Sequence, residues 1–316
     1  MEKLVERETA PRNPLVTAPA LAAQFFLIPL AVVGITVLMY MGFRSLLVDD
    51  RTPQEYLTDI RTGGMSRQWP AAYELSRLMD DPAVRADRSL ALPLIQAFQD
   101  AKNDDPRVRR YLALAIGRLD PPLPPEGIAA LVESLDEPPT AWTPDLFSRL
   151  NGWTDVDVNE ARISTIWALG SSGDPGVVPR LIPLYKSNDA GIRKIVVYAL
   201  GALPGDVQRD TLLDALQDPE PDVRWNSAVA LARHGGAEGV PVLGQMLDRG
   251  YVERTVNREV GPYGDQDPVA DVMISGLRAV AVLRAPSLRG TIEELSEQDD
   301  SLRVRQAAIE ALKAFG

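Results

Sequence analysis

His234 is the only histidine of the 316-residue chain, and there is no cysteine. Disulfides, thiolate zinc sites, cysteine nucleophiles and any site needing two imidazoles are therefore excluded. A serine–histidine–acid set could form only around His234. That residue closes the segment DPEPDVRWNSAVALARHG, just before Gly235-Gly236, where a cation favours a helix C-terminus. The acids of DVDVNE (155–160) alternate as in a calcium loop. Glu160, however, stands where such a loop needs glycine, and Ile166 where it needs a bidentate glutamate. No glycine-rich phosphate cradle is present. The expectation is a protein that is not an enzyme, with no catalytic residue, no cofactor and no metal.

The side chains left with specific work to do are aromatics in polar surroundings. Trp142, Phe147 and Trp153 fall in one such stretch, near 120–157, and Tyr251 and Tyr263 in another, near 249–267. Tryptophan, tyrosine and arginine dominate protein interfaces, so these five are the expected partner-binding residues. The alternative is that the rings fold back as caps. Either way, the elements around the two stretches must position them.

Those elements repeat. Arg224 is followed six and seven residues later by Ala230 and Leu231; 31 residues earlier Arg193 is followed by Ala199 and Leu200, and 31 earlier again Arg162 by Ala168 and Leu169. Arg109 with Ala115-Ile116 and Arg305 with Ala311-Leu312 fit the same frame, and Gln68 and Met273 mark two degenerate copies. A fixed period of this size signals a repeat array. Each register residue is preceded by another apolar-periodic stretch, such as DTLLDALQD or GVPVLGQMLD, with leucines three and four apart on one helical face. The unit is an antiparallel helical hairpin, which cannot bury its apolar face alone and must stack. Alanine six after the register residue would allow close helix approach. The acid four before it (Asp105, Asp189, Glu220) would sit at the helix start, one turn from the arginine, and could pair with it.

Val-Arg followed by Ala-Leu, with acid-Pro before it, as in DPRVRRYLALAIGRL and DPEPDVRWNSAVALARHG, resembles the HEAT-like repeats of the phycobilin-lyase type over about residues 53 to 315. The resemblance implies an all-α fold, an α-solenoid of about seven hairpins. It leaves function open between scaffolds, adaptors, chromophore lyases or chaperones and some nucleic-acid binders. The period is broken twice, between Arg109 and Arg162 and between Arg224 and Met273, and insertions in such arrays map to loops that often bind.

The sequence from Leu21 to Phe43 is nearly all apolar, and about 20 such residues span a bilayer as a helix. The expected organisation is a tail (1–20), one transmembrane helix (21–43), a tether (44–54) and the solenoid (55–316), giving a single-pass membrane protein. The short tail and the lack of cysteine favour an extracytoplasmic array. A net charge of −11 opposes nucleic-acid binding, which relies on Lys and Arg at phosphates. The function expected is a non-enzymatic, membrane-tethered scaffold or accessory subunit whose partner is another protein of a membrane complex. The alternative is a lyase or chaperone acting on a chromophore-bearing client.

Overall fold

A computed structural model describes residues 18–47, 51–103, 105–136, 154–256 and 267–316. Among them the regular elements are α-helices and short 3-10 turns, with no strand. The chain divides into two units, Met1–Thr52 and Pro53–Gly316.

In the first unit a helix runs from Ala18 to Leu47. Its described side chains, at 26–27 and 29–42, are exposed and apolar apart from Thr36 and the Tyr40 hydroxyl. Thr36 donates its hydroxyl back to the Val32 carbonyl at 2.8 Å. Among the described residues no helix is long and apolar enough to cross a membrane. The transmembrane helix expected over 21–43 is therefore not upheld. The single-pass membrane localisation, with its extracytoplasmic array, falls with it.

The second unit is a succession of helices packed on their neighbours, an architecture compatible with a helical repeat. The register residues fall on Met65–Leu78 (Gln68), Pro106–Arg118 (Arg109), Asp155–Ser171 (Arg162), Ala190–Ala202 (Arg193), Pro221–Arg233 (Arg224), Pro268–Leu283 (Met273) and Leu302–Leu312 (Arg305). Each is named below by that residue. These helices start where the sequence supplies acceptors. Asp105 accepts from the Arg107 amide at 2.9 Å, Asp189 from Ile192 at 3.0 Å and Asp267 from Ala270 at 3.1 Å. Thr154 and Asp157 form a reciprocal capping box. Such acceptors satisfy helix-start amides that have no intrahelical partner.

The register residue lies four positions past the N-cap in five of these helices, but eight past it in the Arg162 helix and six past it in the Met273 helix. These are the two helices that follow the insertions. Each insertion is thus rejoined by added turn at the next helix's start.

Ala168, Leu169, Ala199, Leu200 and Leu231 are fully buried, and Ala230 nearly so. The alanine's neighbour across each junction is a glycine eight residues after the preceding register position. A Cβ on Gly117 would lie 2.7 Å from the Ala168 Cα, one on Gly170 2.7 Å from the Ala199 Cα, and one on Gly201 2.3 Å from the Ala230 Cβ. Backbones there touch directly. At the next two junctions the equivalent residues are Ala232 and Ala281.

Candidate interaction surface

Arg193, Arg224 and Arg305 each fasten a loop to the helices. Arg193 donates Nη1 to the Ser187 and Asn188 carbonyls at 3.1 and 3.2 Å. Arg224 does the same with the Asp218 and Pro219 carbonyls at 2.7 and 2.9 Å, and Arg305 reaches Asp299 O at 2.6 Å. Each arginine thus ties down the loop five or six residues upstream. Across the junction, Arg193 grips the buried Asp218 carboxylate with two bonds, of 2.9 and 3.0 Å, and Tyr185 donates its hydroxyl to the same carboxylate at 3.1 Å. Burial and the Asp218 charge push the Tyr185 hydroxyl up to about 12. Burial alone would raise the Asp218 pKa; Arg193, the Glu220 amide and Tyr185 together hold it below the usual carboxylate value. Asp299, also buried, repeats the arrangement, gripped by Arg249 through bonds of 3.0 and 2.5 Å.

The acid four before the register residue acts differently from the expectation. Asp105 and Asp189 do cap their helices, but neither pairs with its arginine one turn on: Asp105 pairs with Arg107 at 2.6 Å, and Glu220 makes no side-chain cap. The pairing acids are Asp218 and Asp299, each six residues before a register arginine. Their regular spacing was visible in the sequence, but their partners, 25 and 50 residues away, were not. His234 ends the Arg224 helix, its amide bonded back to the Ala230 carbonyl at 3.2 Å.

Of the five aromatics expected to bind a partner, Trp142, Phe147, Trp153 and Tyr263 lie outside the described residues. Tyr251 sits on a short helix, Arg249–Thr255, whose Val252 is fully buried. The ring is half-buried against the core, and its hydroxyl accepts from Arg224 Nη2 at 3.3 Å. The start of the second insertion is therefore folded onto the array, clamped by Arg249 to Asp299 and by Tyr251 to Arg224.

The surface that the sequence did not reveal runs along the register helices. Between the Arg224 and Met273 helices lies a groove of about 720 Å³, bordered by Asp222, Trp225, Met246, Val256 and Val272. Between the Met273 and Arg305 helices lies a second of about 960 Å³, largely apolar, bordered by Ile274, Arg278, Val282, Leu302 and Ala307. Asp271 and Ser275 line both, so the two grooves adjoin along the Met273 helix as a two-part trough. Val282 and Leu302 are 61% and 73% exposed within it. Lys194 with Asp222, and Arg303 with Asp271, neutralise most of its charge by pairing. Among the described residues no cluster of histidine and acids could hold a metal.

No known protein-family profile matches the chain, and no curated protein matches it. Among solved structures, the chain is similar to a crystal structure of an engineered protein, with 16% identity and a TM-score of 0.38, over 83% of this chain and 96% of that one.

Proposed function

We propose that the chain is a non-enzymatic protein–protein interaction scaffold, built as a HEAT-like α-solenoid, that holds a polypeptide segment in the trough along its register helices. The observation that supports this reading is the trough itself. Its two grooves adjoin at Asp271 and Ser275, and it exposes Val282 and Leu302. Large apolar side chains bordered by polar ones mark interaction surfaces. Arrays of this kind bind through extended faces of stacked repeats.

The test is co-purification of the tagged full-length chain with its native partner, compared with a Ser275→Tyr/Val282→Glu variant. Ser275 and Val282 line the trough without filling the core, so the variant's melting temperature should stay close to that of the parent. A stoichiometric partner should be retained by the parent and lost from the variant. Equal retention by both, or no stoichiometric partner at all, would overturn the reading.

A further inference from the structure

Three equivalences fix the Arg162 helix against the Arg193 helix in the register that the Arg193 helix keeps against the Arg224 helix. Gly170 meets Ala199 as Gly201 meets Ala230. Gly191 lies by Ile163, a Cβ there falling 3.4 Å from its Cδ1, in the place where Asp222 pairs with Lys194. Both steps are 31 residues. Arg162 therefore occupies the position of Arg193, and Ser187 the position of Asp218.

Everything that satisfies Arg193 is missing for Arg162. The loop carbonyls that Arg193 bonds, at Ser187 and Asn188, correspond to Val156 and Asp157, which already lie inside the extended Arg162 helix. The carboxylate is replaced by the Ser187 hydroxyl, which accepts from the Asp189 amide at 3.2 Å. Asp189 is itself committed to the Ile192 amide and to Asn159 Nδ2. Arg162 consequently has no hydrogen bond or ion pair among the described residues, and its Nε is buried without a partner. Burial pushes its pKa down. A buried polar group left unmatched is costly, and a guanidinium is shaped to take an oxyanion through two parallel bonds.

We propose that Arg162, together with the gap at Ser187, is a carboxylate-binding slot that takes an aspartate or glutamate side chain of the partner protein in the place Asp218 fills one hairpin later. This rests on the scaffold reading for its occupant. A carboxylate is favoured over other oxyanions because Asp218 and Asp299 fill the equivalent positions. Arg162 and Ser187 are both half-exposed, so the slot can be reached from solvent.

The test uses the full-length chain with sodium acetate as the side-chain probe, and sodium chloride and inorganic phosphate at matched ionic strength. The readout is the Nε–H resonance of Arg162, assigned by its loss in Arg162→Gln. Acetate should shift it saturably and chloride should not. Ser187→Asp fills the slot in cis and should weaken acetate binding at least about tenfold. It should also raise the melting temperature of the parent but not of Arg162→Gln. No saturable acetate shift, a stronger response to phosphate than to acetate, or a Ser187→Asp effect independent of Arg162 would each overturn the slot. If Arg162→Gln retains the native partner at undiminished affinity, the slot's occupant is wrong while the scaffold reading stands. If acetate binds but no partner is ever found, the scaffold reading fails and the slot remains.

Discussion

Two junctions of this array carry insertions, and they differ. Between the Arg109 and Arg162 helices the repeat is interrupted by the longer of the two, yet the helices touch at backbone distance through Gly117 and Ala168. Between the Arg224 and Met273 helices the glycine position is held by Ala232, and a groove of about 720 Å³ lies alongside. Interrupting the chain does not by itself separate the helices. Whether they meet at backbone contact depends on the residue eight positions after the register arginine, because one methyl group there stands where the next helix's Cα would be. Beside this junction the helix Arg249–Thr255 makes long polar reaches to both sides, Tyr251 to Arg224 and Arg249 to Asp299.

The strongest way to break this comparison is to remove the polar clamp. Arg249→Met strands the Asp299 carboxylate, whose side chain is 2% exposed. Loss of one partner of a buried pair costs about 3–5 kcal/mol, which denaturant unfolding should register. A cost under about 1 kcal/mol would mean that the helix Arg249–Thr255 is held to the array by its apolar contacts and not by this pair. Leu200→Ala and Leu231→Ala should each cost about 2–5 kcal/mol. Both leucines are fully buried, so unequal costs would show that the hairpin core itself differs along the array. Gly117→Ala sharpens the contrast. The added methyl meets a neighbouring backbone, and overpacking of this kind costs about 1–3 kcal/mol, more than the helix-propensity gain of about 1 kcal/mol. The reverse change, Ala232→Gly, should cost about 1–2 kcal/mol, the lost helix propensity plus the burial of one methyl group. The smallest effect is expected at Arg284, which ends the Met273 helix at φ 49° where Gly173 and Gly235 end theirs at φ 70° and 75°. Arg284→Gly removes the left-handed penalty and should stabilise by about 0.5–1 kcal/mol, read as a rise in melting temperature.

Much of the array was legible because its chemistry is local. Ala168, Ala199 and Ala230, and the leucines that follow them, could be placed from spacing, since burial on a helix repeats with the helix. Asp105 and Asp189 could be placed as helix starts for the same reason. What depended on distant partners was hidden. Nothing near Gly170 says that it faces Ala199, and nothing near Asp218 says that Arg193 grips it. Tyr251 looks like an interface residue in sequence because it is aromatic amid charges, and the Arg224 guanidinium that engages its hydroxyl lies 27 residues back. The trough was invisible because its lining residues come from six helices, none with a distinctive pattern. The apolar run at 21–43 had the composition of a span and the helix 18–47 forms, but among the described residues no helix is long and apolar enough to cross a membrane.

The clamp from Arg249 to Asp299 also bears on where the chain leaves the repeats and returns to them. Arg249 is gripped by a carboxylate 50 residues further on, and Asp267 accepts from the first turn of its own helix. Exit and return are thus each anchored by a side chain that belongs to the helices, so the separation of these two points is set by the repeats themselves.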